Sequence, residues 1–227
     1  MQQTADEARA HCINRMGQEL GEIYAALWQE VAGIHSKWAE YAALYGTKES
    51  RVNLLNRAAP RFARLVQDIL WEDVVLHIAR LTDPPKSMGK SNLSVQSLAQ
   101  AIDHPATRGA VERLVTRAIA ESEFCRDWRN RHIAHRDLQL ALARGAEPLK
   151  SGSRQSVSTV LSTLGEILNV VSSHYLDSTT RFDFDTSAGG ALSLLHVLDD
   201  GLRSEQERRE RLRQGCAEPD DYRPKDI

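Results

Sequence analysis

Hydrophobic residues recur at helical spacing along most of this chain. In the first such stretch they follow one another at alternating steps of four and three, which places them on one side of a helix. This N-terminal seam consists of Leu20, Tyr24, Leu27, Val31, Ile34, Trp38, Tyr41 and Tyr45. Gly46-Thr47 predicts the end of the helix and the cap of the next one. A one-sided apolar seam is suited to packing along another helix, in the same chain or in a partner.

A second, wider apolar stripe runs from Arg61 to Asp83 and predicts a central helix that is contacted on several sides. Pro60 is expected to interrupt or restart the chain before it, because the proline ring clashes with the preceding turn. Asp83-Pro84-Pro85 is expected to end this helix, and a polar loop should follow from Lys86 to Asn92.

Two further long helices are predicted beyond that loop. A short helix is expected from Ser94 to Ile102, and Asp103-His104-Pro105 should separate it from the third long helix, since proline suits a helix start. That third helix is expected to run from about Ala106 through the region of His135. The regular apolar face of residues 157–171 predicts the fourth.

These elements, with no internal repeat and no convincing strand, predict an all-α protein. The expected architecture is a four-helix up-and-down bundle with additional short helices. A last helix should begin near Ala191, and its mixed charges after Arg203 indicate a solvated face. We expect residues 1–214 to form a single helical domain and residues 215–227 to form a disordered C-terminal tail.

Bulk composition narrows the classes of function. The chain has 227 residues and a formal net charge of -2, whereas proteins that coat nucleic acid non-specifically are more basic, so RNA contact would need a local patch. No stretch approaches the ~20 apolar residues that span a bilayer. We therefore expect a cytoplasmic protein without a membrane partner. Its three dispersed cysteines, without Cys-x-x-Cys, indicate neither disulfides nor a zinc site.

The candidate chemistry is concentrated in residues 125–137, CRDWRNRHIAHRD, which we call the signature segment. Four arginines against two aspartates give it a local formal charge of +2, and two histidines lie within it. Its basic residues are Arg126, Arg129, Arg131, His132, His135 and Arg136. Phosphate is the ligand that such a cluster favours.

This segment resembles the signature of HEPN domains, an arginine followed directly by a polar residue and, after four to six residues, by a histidine. Arg129, Asn130 and His135 occupy these positions, with five residues between the arginine and the histidine. The longer RNRHIAHRD is similar to the abortive-infection branch of the Abi U type, a phage-defence group. That branch also carries a motif like Arg80-Leu81-Thr82-Asp83 at the end of its second long helix.

The resemblance implies a metal-independent endoribonuclease without a cofactor, acting as a toxin or phage-defence effector. It also implies a homodimer in which two signatures face each other, with RNA as substrate and an antitoxin as a candidate partner. The catalytic residues would be Arg129, Asn130 and His135. Further substrate contacts would come from Arg126, Arg131, His132 and Arg136.

The chemistry of RNA is consistent with these roles. The 2′-OH can attack the adjacent phosphate when a group titrating near neutral pH moves the proton, which suits His135. A guanidinium stabilises the charge that develops on phosphorus, which suits Arg129, and Asn130 can donate to a phosphate oxygen or orient its neighbours. DNA lacks the 2′-OH, so the mechanism predicts cleavage of RNA only.

A straight α-helix would place Arg129 and His135 about 120° apart around its axis. His135 would then extend an apolar seam that points at another helix. The other members of that seam are Leu114, Ala118, Cys125, Trp128 and His132.

Two other functions remain open at this point. The same patch suits a non-catalytic HEPN-like module that binds nucleotide, RNA or a protein. Separately, a structural interpretation of Arg126, Arg131 and Arg136 pairs them with Asp127, Asp137 or the helix C-terminus. Alternatively, the protein is structural and oligomerises through the N-terminal seam. Asp73 and His77, four residues apart, predict a hydrogen-bonded pair rather than a metal site, and Phe182-Asp183-Phe184-Asp185 predicts a loop with two anchoring aromatics.

Overall fold

A computed structural model describes residues 4–87, 89–183 and 189–223 and shows an all-α protein, as predicted. In chain order its α-helices are α1 (Ala5–Met16), α2 (Gln18–Tyr41), α3 (Glu49–Ala58), α4 (Pro60–Leu81), α5 (Val95–Ala101), α6 (Pro105–Glu121), α7 (Glu123–Trp128), α8 (Leu138–Ala141), α9 (Arg154–Tyr175) and α10 (Ala191–Gln214). Its other elements are π-helical turns at Ala42–Gly46 and Arg129–Ile133, a 3₁₀ helix at Pro219–Tyr222 and two strands, β1 (Lys86–Ser87) and β2 (Lys90–Ser91).

Local sequence accounts for where the helices begin. Pro60 and Pro105 are the first residues of α4 and α6, where a missing N–H costs no helical hydrogen bond. Ser94 and Ser153 cap α5 and α9 by accepting hydrogen bonds from backbone N–H groups three residues ahead. The starts predicted at Pro60, Ser94 and Pro105 are therefore confirmed.

Two predicted elements differ from those observed. The third long helix does not run unbroken to His135: it ends at Glu121, and α7 begins again after Ser122, whose N–H still bonds back into α6. The polar loop after α4 contains a minimal antiparallel hairpin of β1 and β2, in which Lys86 pairs with Ser91. No helix within the described residues is both long enough and apolar enough to cross a membrane.

The chain divides into two compact units, and the first consists of Met1–Ala39 and Ile69–Phe184. In this unit α6 packs along α9, and α5 packs against α6. Side-chain contacts join α2 to its neighbours: Trp38 Nε1 donates to Ser158 Oγ at 3.0 Å, and Lys37 pairs with Asp73 at 2.7 Å. The core of this unit is aliphatic, and α9 contributes the fully buried Val157, Val160, Leu164, Ile167, Leu168 and Val171.

The N-terminal seam lies inside the chain rather than on its surface. Leu27, Val31 and Ile34 are 0% exposed, and Leu20 and Tyr24 are nearly so. Because these side chains already pack within one molecule, the seam offers no face to a second one. The structural interpretation based on oligomerisation through this seam is therefore wrong.

The second unit consists of Glu40–Asp68 and Asp185–Ile227. Its core joins α3, the first π-helical turn and α10 through Leu44, Leu54, Leu55, Ala63, Ala191 and Leu195. Glu40 accepts the Ala191 N–H at 2.6 Å and so caps α10 from α2. The sequence predicts disorder after Gly215, but the 3₁₀ helix there forms an ion pair with α10, between Asp221 and Arg211 at 2.5 Å. Residues 224–227 of the predicted tail lie outside the described residues.

Candidate functional site

The signature segment does not continue as a straight α-helix. Helix α7 passes into the π-helical turn Arg129–Ile133, in which the Ala134 N–H donates to the Arg129 carbonyl five residues back at 2.8 Å. The wider turn rotates later side chains relative to α-helical geometry, and the helix stops before His135. The predicted 120° relation therefore does not apply. His135 lies beyond the helix and is exposed, so it does not extend a buried seam.

Arg129 is held by a carboxylate from the turn that follows α4. Its Nη1 lies 2.6 Å from both Oδ1 and Oδ2 of Asp83, and its Nε donates to Asn130 Oδ1 at 3.0 Å. The two partners of the ion pair are partly exposed, at 22% for the Arg129 side chain and 20% for that of Asp83. Nη2 of Arg129 has no hydrogen-bond partner among the described residues. Asn130 itself is exposed.

The Arg80-Leu81-Thr82-Asp83 motif and the signature segment meet in space, although 46 residues separate Asp83 from Arg129. Thr82 is fully buried and accepts a hydrogen bond from Ser122 Oγ at 3.0 Å. Ser122 is the residue that separates α6 from α7. The end of α4 is thus fixed to the start of α7, and Asp83 is presented to Arg129. The sequence indicated this motif by resemblance but assigned Asp83 no role.

The His132 ring contacts three side chains. Its Nδ1 lies 2.9 Å from Arg136 Nη1, and because a guanidinium only donates, Nδ1 must accept. The ring proton is therefore on Nε2, which faces Glu72 Oε1 of α4 at 3.3 Å. Trp128 meets the His132 ring edge-on, with the ring centroids 5.5 Å apart. His132 is thus an oriented link between Glu72 and Arg136. Glu72 was not identified from the sequence, which has no local signal for it.

Arg126 and Arg131 make internal contacts that hold the backbone of the segment. Arg126 Nη2 donates to the Ile119 carbonyl at 2.7 Å, near the end of α6. Arg131 donates to the Glu147 carbonyl at 2.5 Å and pairs with Asp127 and Asp137 at 3.4 Å each.

The loop after α8 is attached to the signature segment by further contacts. Trp128 Nε1 donates to the Lys150 carbonyl at 3.0 Å, and Asp127 accepts the Lys150 N–H at 2.8 Å. Gly152 approaches Phe124 and Trp71 so closely that an added Cβ would lie 2.7 Å from the Phe124 ring. These contacts hold the signature segment against the loop that precedes α9.

One carboxylate on α4 and one just after it change the electrostatics expected from the sequence. Asp127 and Asp137 pair with Arg131, Asp83 pairs with Arg129, and Glu72 faces His132, so four carboxylates contact a segment that carries four arginines. The local formal charge is zero rather than +2. The backbone N–H of Leu140 lowers the pKa of Asp137, which keeps that carboxylate charged. The basic island predicted from the sequence is thus compensated in the fold.

Other candidate groups take structural positions. The predicted hydrogen bond between Asp73 and His77 is wrong. Asp73 pairs with Lys37, and His77 Nε2 lies 2.6 Å from Glu30 of α2. Phe182 is buried beside Trp28 and His35, whereas Phe184 and Asp185 of its motif lie outside the described residues. No group of three His, Cys, Asp or Glu side chains in the described part of the chain is arranged to hold a metal ion.

The helical fold, with Arg129 and His135 in the signature and Asp83 beside it, defines a protein of the HEPN class. The family model HEPN_AbiU2, described as AbiU2, matches residues 17–189 and so includes both motifs. The chain belongs to this family. No curated protein matches it, and no solved structure does.

Proposed function

We propose that the protein is a metal-independent endoribonuclease whose catalytic residues are Arg129, Asn130 and His135. The observation that carries this proposal is accessibility: His135 is exposed without a hydrogen-bond partner among the described residues, and Arg129 is partly exposed with Nη2 unbonded. A strand of RNA can therefore reach both the imidazole and the guanidinium. Membership of a HEPN family supports the same assignment.

In the proposed reaction, the bond from the ribose 2′-oxygen to phosphorus forms and the bond from phosphorus to the 5′-oxygen breaks. His135 takes the proton from the 2′-OH, and an acid returns a proton to the leaving 5′-oxygen. Arg129 Nη2 binds the non-bridging oxygens as charge develops on them. The products are a 2′,3′-cyclic phosphate and a 5′-hydroxyl.

A homodimer would supply the acid as a second copy of His135. Exposed apolar side chains beside the signature segment support such an interface: Ile69, one turn before Glu72 on α4, is 55% exposed, and Leu138 and Leu142 of α8 are 66% and 46% exposed. Sedimentation at micromolar concentration should give a dimer that Leu138→Asp dissociates. A monomeric wild type that still cleaves RNA would contradict this arrangement.

The direct test incubates purified protein with tRNA and mRNA in the presence of a chelator. We expect cleavage by the wild type and a loss of about 10²–10⁴-fold in rate for His135→Ala, the range for removal of a general acid–base group. His11→Ala, which alters an exposed histidine of α1, is the matched control and should cleave normally. Absence of wild-type cleavage, or normal cleavage by His135→Ala, would contradict the proposal.

A non-catalytic module that binds RNA or nucleotide is the second candidate, and the charge compensation around Arg129 favours it. A site with zero net formal charge binds phosphate weakly and need not cut it. In this case RNA binding should survive His135→Ala and be lost in Arg129→Ala. Anisotropy of a labelled RNA with both variants measures this binding, and the cleavage assay above separates the two candidates, because only a nuclease cuts the RNA.

The biological role we propose is that of a toxin or phage-defence effector acting on cellular or viral RNA. Induced expression should then arrest bacterial growth, and His135→Ala should relieve the arrest at equal protein level. An antitoxin partner, if encoded beside the gene, should suppress the arrest when co-expressed. Equal toxicity of wild type and His135→Ala would separate growth arrest from the proposed chemistry.

A further inference from the structure

We propose that Asp83 is a built-in competitor of phosphate for Arg129, and that an incoming phosphate displaces this carboxylate in order to bind Nη1 and Nη2 of the guanidinium together. The inference rests on the proposed function, because it assumes that Arg129 receives a substrate phosphate. It adds a regulatory residue that lies outside the signature itself. Asp83 would set the affinity of the site.

The hydrogen bonds of Arg129 leave it only partly available. Nη1 is directed at both oxygens of Asp83, and Nε is taken by Asn130. Bidentate binding of a phosphate uses two nitrogens on one edge of the guanidinium. Nη2 alone is unbonded among the described residues, so neither edge is complete. An anion that binds Arg129 in a fork must therefore replace either Asp83 or Asn130.

Asp83 is held in place, whereas Arg129 is the partner able to turn. The Asp83 N–H donates to the Arg80 carbonyl at 3.2 Å, and the preceding Thr82 is fully buried and bonded to Ser122. Arg129 is a long side chain on a π-helical turn with an exposed neighbour, Asn130. The ion pair is also about one-fifth exposed on both sides, so an anion can reach it from solvent. Exchange of partners by Arg129 is thus sterically open.

The neighbouring arginines of the signature segment are occupied by other partners, so Arg129 is the guanidinium whose charge Asp83 neutralises. Arg131 is committed to Asp127, Asp137 and the Glu147 carbonyl. Arg136 is directed at His132, which faces Glu72. Removing the charge of Asp83 therefore changes the local formal charge from zero to +1, at the guanidinium assigned to the phosphate.

The test uses inorganic pyrophosphate as the probe, so it requires neither RNA nor cleavage. Phenylglyoxal modifies accessible arginines, and peptide mass spectrometry reports the extent at Arg129. Protection by pyrophosphate is measured for the full-length wild type, Asp83→Asn and Asp83→Glu. Asp73→Asn is the matched control, because it removes a carboxylate that pairs with Lys37 and not with Arg129.

We expect Asp83→Asn to be modified faster at Arg129 and to be half-protected at about tenfold less pyrophosphate, since a like charge no longer lies beside the anion. Added salt should reduce the difference. Asp83→Glu and Asp73→Asn should resemble the wild type. Half-protection of Asp83→Asn at the same or a higher concentration, or no protection of Arg129 in any variant, would overturn the inference.

A measurement on the wild type covers the case in which Asp83→Asn does not fold. Pyrophosphate is titrated into protein carrying ¹³C in its aspartate carboxyl groups, and the Asp83 signal should move together with Arg129 Nε–H as the pair separates. An Arg129 signal that responds while Asp83 stays unchanged would also overturn the inference. Loss of RNA cleavage alone would instead count against the proposed function and leave this competition intact.

Discussion

Two glycines on the same helix should respond in opposite directions to the same substitution. Gly21 and Gly33 both lie within α2. A Cβ at Gly21 would lie 2.5 Å from Ile13 Cα and 2.7 Å from the Cys12 carbonyl carbon, both main-chain atoms of α1. A Cβ at Gly33 would meet nothing within 4 Å. Gly21 is therefore the point of closest approach of α1, whereas Gly33 has free space beside it.

The magnitudes follow from these distances. Ordinary carbon–carbon contact is about 3.5–4.0 Å, so Gly21→Ala must move the α1 main chain by roughly 1 Å or more. Overpacking of this kind costs about 1–3 kcal/mol, and the main chain cannot rotate aside as a side chain can. Replacing a mid-helix glycine by alanine stabilises by roughly 0.5–1 kcal/mol. We expect Gly21→Ala to lose about 1–2 kcal/mol net and Gly33→Ala to gain about 0.5–1 kcal/mol.

Thermal melts followed by far-UV circular dichroism provide the assay. At about 2–4 °C per kcal/mol for a chain of this size, Gly21→Ala should melt several degrees lower than the wild type and Gly33→Ala slightly higher. Limited proteolysis should also release α1 earlier in Gly21→Ala. Equal melting temperatures, or a Gly21→Ala protein that is the more stable of the two, would refute the inferred approach of α1 and α2.

Three further predictions concern buried and titrating groups. A hydrogen bond from Arg211 holds the pKa of Asp221 at about 2, below 3.8, so its contribution to stability is present above about pH 4 and is lost as the pH falls toward 2. Asp221→Asn should thus be destabilised at pH 7, with the deficit closing in melts near pH 2. Burial raises the pKa of Cys125 to about 12, so iodoacetamide should label the exposed Cys216 in the native protein and spare Cys125, as read by mass spectrometry. Leu164→Ala, at a fully buried position of α9, should cost about 2–5 kcal/mol in urea unfolding, and a loss below about 1 kcal/mol would contradict tight packing there.

Helix periodicity predicted much of the secondary structure because the buried faces are regular. The apolar stripe beginning at Arg61 became α4, and the face at residues 157–171 became the centre of α9. Proline predicted the starts of α4 and α6, since its effect is local. The same periodicity does not specify which helix covers a given face. The N-terminal seam was therefore equally consistent with a partner molecule, although Val31 and Ile34 are buried within the chain.

The candidate site was predictable in its residues but not in its geometry. The spacing of Arg129 and His135 is visible in the sequence, whereas the π-helical turn that begins at Arg129 is not. The net charge of the site was predicted wrongly because Glu72 lies on α4 and Asp83 just after it, and counting charges in the signature segment omits both. Long-range pairs of this kind have no local pattern.

The most direct test of the central claim uses one short RNA and its copy with a single 2′-deoxy substitution at the cleaved position, both incubated with protein and chelator. The proposed mechanism predicts that the all-ribose RNA yields a 2′,3′-cyclic phosphate and a 5′-hydroxyl, and that the substituted copy is not cut there. Cleavage of the substituted copy at the same position, or products bearing a 5′-phosphate, would show that Arg129 and His135 do not promote attack by the ribose 2′-OH.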